Sequence, residues 1–140
     1  MQKKYEFLAD DCVVVGERRL FRIRAVRDFG EVRRGDIGGY IECEDNLCHD
    51  GDAWVHDVAQ VYGPHAVVRN NARVRGCAWV MGVVEDDAVV DDLAIVAEGA
   101  RVGGREILLY DEIVTGDERQ MPVPSRPVSA TAELRFVRTV

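Results

Sequence analysis

The stretch AWVHDVAQVYGPHAVVRNNARVRGCAWV, residues 53–80, repeats the pattern Ala-x-Val and decides the fold. The pattern continues in AVVDDLAIVAEGARV, residues 88–102, so eight copies fall within 50 residues. Most copies begin six residues apart, but the step from Ala59 to Ala66 is seven and the step from Ala78 to Ala88 is ten. An internal repeat of this kind is typical of a solenoid.

A hexad with one branched and one small apolar residue suits a triangular coil with three short sides. The branched residue points inward from each side, and the small one lies near the corner. Successive coils then pair as parallel strands about 4.8 Å apart, with β-branched side chains stacked inside. The spacing predicts an all-β parallel β-helix of about three to four coils. The predicted inward ladders are Ile41-Val61-Val80-Val102, Leu47-Val68-Val90 and Val55-Val74-Val96.

The ten-residue step admits two interpretations. In the first, Val84, Glu85, Asp86 and Asp87 form an extruded loop. In the second, Val84 keeps a place in the coil, and the step is two residues shorter than two full repeats. The first is favoured, because three consecutive acids are poor material for a packed wall. Acids in such a loop are expected to add almost nothing to stability.

The flanking segments differ from the repeat. Residues 3–27 predict two strands joined at Gly16-Glu17, and residues 28–41, DFGEVRRGDIGGYI, predict a glycine-rich lead-in. Residues 104–115 predict strands that leave the repeat, and residues 130–140 a final strand. The expected organisation is one domain over residues 1–140, with N-terminal strands (1–35), coils (36–103) and a C-terminal cap and tail (104–140).

Charge and composition exclude several function classes. The net charge is −7, and residues 37–103 alone hold 4 basic and 12 acidic residues. An acidic surface repels a phosphate backbone, so direct nucleic-acid binding is disfavoured. The chain has neither an apolar run long enough to span a membrane nor the apolar core of a secretory signal near its start. We therefore expect a protein of the cytoplasm of a bacterial host cell, with reduced cysteines.

Cys43, Cys48 and His49 are the candidate metal ligands. The spacing is Cys-x₄-Cys and no second ligand pair follows, whereas a structural zinc site needs four ligands. The sequence therefore predicts no metal and no cofactor.

The lead-in DFGEVRRGDIGGYIE (28–42), the segment NLCHDGDAWVHD (46–57) and the Ala-x-Val array together resemble a family of bacterial and prophage proteins. Members share a two-strand N-terminal segment, a lead-in that ends in G-G-[YW]-I-E, and hexapeptide-like coils. The resemblance covers roughly residues 3–103. It implies a left-handed parallel β-helix, the architecture of the trimeric hexapeptide acyltransferase superfamily, and leaves self-association as a homo-oligomer open.

The same resemblance supplies a catalytic hypothesis, because hexapeptide acyltransferases use a histidine as general base. His56 and His65 are the candidates, since both fall in the first coils. The alternative is that both are solvent-facing residues at variable repeat positions. The sequence contains no distinctive coenzyme A motif.

Two groups of residues are candidates for binding a partner. Trp54 and Trp79 each precede an inward valine and should face outward, beneath Arg73 and Arg101 respectively, as cation–π pairs. Exposed tryptophan and arginine are enriched in interface hot spots. The second group is an acidic cluster that could imitate nucleic acid. Its members are Glu85, Asp86, Asp87, Asp91 and Asp92.

Two functions remain open. The favoured one is a non-catalytic protein-binding or scaffold protein of phage or prophage origin, which could inhibit a host nucleic-acid-directed or defence system through its acidic surface. The alternative is a small acyltransferase-like enzyme with His56 or His65 as its base. The first requires a protein partner, and the second an acyl donor.

Overall fold

A computed structural model describes residues 3–116, almost wholly as β-strands and turns. Three longer strands come first, and eleven two-residue strands follow, with one turn of 3-10 helix at Glu44–Asn46. No helix in this range is long and apolar enough to cross a membrane. The strands are β1 (Tyr5–Val15), β2 (Arg18–Ala25), β3 (Ile37–Ile41), β4 (Trp54–Val55), β5 (Gln60–Val61), β6 (Val67–Val68), β7 (Arg73–Val74), β8 (Trp79–Val80), β9 (Val83–Val84), β10 (Val89–Val90), β11 (Ile95–Val96), β12 (Arg101–Val102), β13 (Ile107–Leu108) and β14 (Ile113–Val114).

The strands stack into three sheets. The first sheet has the order β1-β2-β3-β5-β8-β11-β14, the second β4-β7-β10-β13 and the third β6-β9-β12. From β4 onward, each strand pairs in parallel with the strand three places later in the chain. The chain therefore visits one sheet after another and returns to the first once in each turn. This confirms the predicted β-solenoid, with about four coils. The left hand of the helix stays a prediction.

The repeat places its two apolar positions as predicted. The valine of each Ala-x-Val unit is fully buried inside the coil, and each alanine is buried at the corner with at most 1% of its surface exposed. Stacked β-branched side chains account for the interior. The observed inward ladders are Ile41-Val61-Val80-Val96-Val114, Val55-Val74-Val90-Leu108 and Leu47-Val68-Val84-Val102.

The register after Val80 differs from the favoured interpretation. Val84 is not extruded but lies in β9, fully buried between Val68 and Val102. Only Met81 separates Val80 from Gly82, which takes the place of the usual alanine, so two turn residues are missing at this corner. A Cβ on Gly82 would lie 2.4 Å from the carbonyl oxygen of Ala100. The tight corner fits only glycine, and it shifts every later valine by one ladder.

The coils also extend further than predicted. β13 and β14 pair with β10 and β11 and continue the ladders, so residues 104–114 do not leave the repeat. Glu106 and Glu112 stand where alanine is usual, and their carboxylates accept hydrogen bonds from the N–H groups of Gly103 (3.1 Å) and Leu109 (2.8 Å). Because these two units lack the alanine of the Ala-x-Val pattern, the pattern did not predict this coil. The predicted final strand at 130–140 lies outside the described residues, and the one-domain organisation of the whole chain stays a prediction.

The N-terminal strands cover the open end of the first coil. β1 and β2 form the predicted antiparallel hairpin with its turn at Gly16-Glu17, although β1 continues through Asp10-Asp11 with a register shift instead of turning there. β2 pairs with β3, which carries the end of the lead-in into the first coil. A Cβ on Gly39 would lie 2.5 Å from the carbonyl oxygen of Ala59, which explains the need for glycine in β3.

The hairpin is fastened by a buried lysine. Lys4 is fully buried, and its Nζ donates hydrogen bonds to the carbonyl oxygens of Gly51 (3.2 Å) and Ala53 (2.7 Å) while lying 4.6 Å from the ring centre of Phe29. Burial lowers the pKa of Lys4 to about 8. These contacts join the chain start to the coil and to the loop that follows β2.

Candidate functional site

A cavity of about 240 Å³ lies between the outer face of the second sheet and residues 28–36, which we call the entry loop. Phe29 and Val32 exchange two backbone hydrogen bonds (2.9 and 2.7 Å), which fold the loop back on itself. The Phe29 ring then packs edge-on against Trp54, with 5.3 Å between ring centres. The cavity is lined by Gly30, Glu31, Val32, Asp52, Trp54, His56, Asn71, Arg73 and Asp87.

Trp54 forms the base of this cavity. It points away from the coil interior, as predicted, but it is 2% exposed, so the prediction of an exposed tryptophan is wrong here. Phe29 of the entry loop and Tyr5 of β1 cover it. Arg73 is its ladder neighbour, as predicted. The Arg73 guanidinium pairs with the Glu31 carboxylate (3.2 Å), and this contact ties the loop to the wall.

His56 is the histidine that lines the cavity. It follows Val55 at the corner, is half-buried, and has no hydrogen bond from either ring nitrogen to residues 3–116. Burial is the main cause that lowers its pKa from the usual value near 6.5. Asp57 opposes this shift, and Arg75 and Arg73 reinforce it. The imidazole is therefore neutral at pH 7, with a free nitrogen able to accept a proton.

Neither of the other two histidines places an unbonded ring at the cavity. Nδ1 of His49 accepts the backbone N–H of Lys4 (3.1 Å), and its Nε2 lies 3.2 Å from the carboxylate of Glu44. Both ring nitrogens are occupied, so His49 is a structural residue. His65 is exposed on the outside of the coil and lies 3.6 Å from Glu98, with 67% of its side chain accessible. Of the two histidines predicted from the sequence, only His56 lines the cavity.

No protein-family model matches the chain. It is similar to an acetyltransferase of Escherichia coli K12, the uncharacterized acetyltransferase YdcK, with 32% identity over 81 residues. The matched segment makes up 57% of this chain and 25% of that protein, so the chain spans about a quarter of the length of the curated relative that it matches. The similarity favours the acyltransferase-like alternative of the two functions drawn from the sequence.

The acidic cluster is part of the coil rather than a loop. Glu85 is only 15% exposed and accepts hydrogen bonds from Arg69 (2.7 Å) and Arg101 (2.8 Å), which lie on the coils before and after it. Asp91 lies 3.4 Å from Arg75. Glu85 therefore joins three successive coils through a ladder of opposite charges, and the Asp91–Arg75 pair joins two coils at another corner.

Two further acids of the cluster each fasten one turn to the turn stacked on it in the next coil. Asp86 and Asp92 adopt the left-handed backbone conformation (φ 59° and 57°), which aspartate and asparagine tolerate better than most residues. Their carboxylates accept the backbone N–H of the turn in the next coil, from Gly104 (2.8 Å) and Tyr110 (3.0 Å). Asp87 is the member of the predicted cluster that lines the cavity.

The observed position of Glu85 predicts that its carboxylate stabilises the fold. This replaces the expectation, drawn from the sequence, that acids in an extruded loop add almost nothing to stability. The Arg69 hydrogen bond, supported by Arg101, holds the pKa of the Glu85 carboxyl below its usual value near 4.5. A carboxyl group whose pKa is lower in the folded than in the unfolded state stabilises the protein fully at pH values above its unfolded-state pKa. This stabilisation is lost as the pH falls through the folded-state pKa. Glu85→Gln should therefore lower the free energy of unfolding by about 1 kcal/mol at neutral pH. Urea titrations should show the difference from wild type vanishing in acid.

Glu98→Gln is the matched control, because that carboxylate is 62% exposed and, among residues 3–116, pairs only with His65. Its unfolding midpoint should match wild type at neutral pH. A Glu85→Gln chain that is as stable as Glu98→Gln would contradict the charge ladder.

The remaining predicted binding residues lie on other faces. Trp79 is 46% exposed on the outer face of the first sheet, where its ladder neighbours are Gln60 and Ile95. The predicted stack with Arg101 is therefore wrong, because the shortened corner moves Arg101 beside Val83 in the third sheet. Whether any of these residues binds a partner stays a prediction.

The candidate metal ligands Cys43, Cys48 and His49 lie near the start of the coils, whereas Cys12 lies in β1 and Cys77 in the turn before β8. Cys12, Cys43 and Cys77 are exposed thiols, and Cys48 is half-buried. Residues 3–116 contain no group of three or more histidine, cysteine or acidic side chains placed to hold a metal ion. Tyr5 stacks on His49 with 4.3 Å between ring centres, which adds to the structural contacts of that histidine.

Proposed function

We propose that the chain carries an acyl-transfer site in the cavity beneath the entry loop, with His56 as general base. The observation that carries this proposal is the state of the His56 ring, which is half-buried, neutral at pH 7 and unbonded within residues 3–116 at the wall of a cavity. The similarity to an acetyltransferase supports the same class of reaction. The donor would be an acyl thioester, and the cavity of about 240 Å³ is large enough for a small acceptor.

In this proposal, each side of the cavity would have its own task. His56 would accept the proton that the attacking atom loses as it bonds to the carbonyl carbon, and would return it to the departing thiolate. Trp54 and the entry loop cover one side and limit access of water. Because the Arg73–Glu31 ion pair joins the loop to the wall, it would hold the loop in place over the reacting groups.

The test is thiol release from acetyl-coenzyme A by the full chain, in the presence of a mixture of small amines and alcohols. His56→Gln should slow acceptor-dependent thiol release by about a hundredfold, because a positioned general base contributes at least that much. Because the pKa of His56 is lowered, the rate should hold at pH values below the usual histidine pKa before it falls. His65→Gln is the matched control and should keep the wild-type rate. Thiol release at the background rate, or at a rate that His56→Gln leaves unchanged, would contradict the proposal.

Protein binding without catalysis is the second candidate. The observation that favours it is the apolar outer wall of the first sheet, where Trp79 is 46% and Ile113 43% exposed. Such surface is typical of contacts with another protein. This hypothesis makes Trp79, and not His56, the residue whose substitution removes function. Nothing in the described residues or in the comparisons adds support to a phage-derived inhibitor role.

A further inference from the structure

The polar groups that line the cavity are mostly acceptors of hydrogen bonds. Three carboxylates reach it, those of Glu31, Asp52 and Asp87, against the single guanidinium of Arg73. Arg73 is already paired with Glu31 at 3.2 Å. The lining therefore carries a net negative charge that resides on Asp52 and Asp87.

These two carboxylates belong to one row. Asp52, Asn71 and Asp87 each stand immediately before the corner alanine of their coil, at Ala53, Ala72 and Ala88. Because the three coils are stacked, the side chains lie one above another along the edge of the cavity, with about 4.8 Å between coils. The Asn71 Nδ2 group donates to Asp87 Oδ1 (3.3 Å), which leaves the Asn71 carbonyl oxygen as a further acceptor.

The nearby cations satisfy this row only in part. Nζ of the buried Lys4 donates to the backbone carbonyls of Gly51 and Ala53 on either side of Asp52. The Asp52 carboxylate attracts this ammonium and raises the pKa of Lys4 against the larger, opposite effect of burial. Arg27 donates to the carbonyl oxygen of His49 and lies over the Phe29 ring. Within residues 3–116, neither Asp52 nor Asp87 forms a direct ion pair with a cation.

We infer that the acyl acceptor is a small primary amine, which binds as its ammonium ion to the row Asp52, Asn71 and Asp87. The inference rests on the proposed acyl-transfer function and names the substrate class of the same site. An ammonium group offers three donors and a positive charge, which match a row of acceptors in a cavity lining of net negative charge. An anionic acceptor would be repelled, and a neutral alcohol would add no counter-charge.

The chemistry balances with the residues present and an acyl thioester as co-reactant. The bound ammonium first releases one proton to solvent and becomes a free amine. Its nitrogen then attacks the thioester carbonyl carbon, so that a C–N bond forms and the C–S bond breaks. His56 accepts the second proton from that nitrogen and gives it to the thiolate sulfur. The products are an amide and a free thiol, and His56 returns to its neutral form.

Binding is tested first, without any acyl donor, with three four-carbon probes of similar size. 1,4-Diaminobutane is cationic, 1,4-butanediol is neutral and succinate is anionic. The readout is the indole N–H signal of Trp54 in a two-dimensional NMR spectrum, and the indole of Trp79 on the first sheet is an internal control. We expect the diamine to shift the Trp54 signal and to bind at least about tenfold more tightly than the other two probes. Equal binding of the three probes, or tighter binding of succinate, would overturn the inference.

A pair of charge variants locates the site. Asp87→Asn should weaken diamine binding about fivefold, while Asp111→Asn, the same change on an exposed turn away from the cavity, should leave it unchanged. Equal affinities for the two variants would overturn the assignment of the row.

Thiol release from acetyl-coenzyme A separates the two proposals. Diamine binding without diamine-dependent thiol release would reject acyl transfer while keeping the ammonium site. Release that depends on butanediol and not on the diamine would keep acyl transfer and reject the amine.

Discussion

A Val84→Asp chain should fail to fold, whereas a Val83→Asp chain should fold normally. Val84 is fully buried between Val68 and Val102, so an aspartate there would place an unpaired carboxylate in the apolar interior. The free energy of unfolding should fall by more than about 4 kcal/mol, because a buried unpaired charge is among the most destabilising substitutions. Circular dichroism should show little β-structure for this variant, with no cooperative transition in urea.

Val83 is a close control because it is the same residue type, adjacent in the same strand, but half-buried and pointing outward. Its substitution should shift the urea midpoint only slightly. If Val84 and the acids after it were extruded as a loop, both variants would fold equally well. Similar unfolding curves for the pair would therefore contradict the observed register.

Gly82→Ala should lower the free energy of unfolding by about 3 kcal/mol or more. The added Cβ would lie 2.4 Å from the carbonyl oxygen of Ala100 and 2.6 Å from that of Ala97. Both contacts are with backbone of the next coil, so neither atom can move aside without disturbing the ladder. Thermal unfolding followed by circular dichroism measures the loss.

Gly103→Ala is the comparison for Gly82→Ala. Its added Cβ would lie 2.9 Å from a carboxylate oxygen of Asp86 and 3.3 Å from Cγ of Glu85, which are side-chain atoms that can shift. A much smaller loss is expected there. Equal losses for the two variants would indicate that the corner at Gly82 is no tighter than an ordinary turn.

The interior of the solenoid was predictable from the sequence because it depends on a local pattern. Val61, Val68 and Val74 could be assigned inward from their spacing alone, and each is fully buried. The register beyond Val80 could not be assigned in the same way, because two arrangements of the ten-residue step satisfy the spacing. Gly82 held the signal that decides between them, since a glycine in the alanine position suggests close backbone approach.

The candidate site was only partly predictable, because a contact between distant segments forms it. Trp54 and Trp79 occupy the same place in identical AWV units, yet one is buried and the other exposed. The difference arises from the entry loop and the N-terminal strand, whose Phe29 and Tyr5 pack on Trp54. Among residues 3–116, no aromatic ring packs on Trp79 in the same way. His56 could be named as a candidate from its residue type, but its place in a cavity depends on the same loop. Glu31 and Asp52 were missed, since isolated acids in turns show no distinctive pattern.

The stacking of coils also sets how the molecule should gain and lose its structure in time. Partners in the ladders are close in sequence, from 16 residues apart for Val68 and Val84 to 21 for Leu47 and Val68. Most contacts in the coils join residues that are near each other in sequence. Folding can therefore nucleate in one coil and propagate to the neighbouring coils. Amide hydrogens should then exchange at graded rates, slowest in the central coils and fastest toward the last one, and not all together.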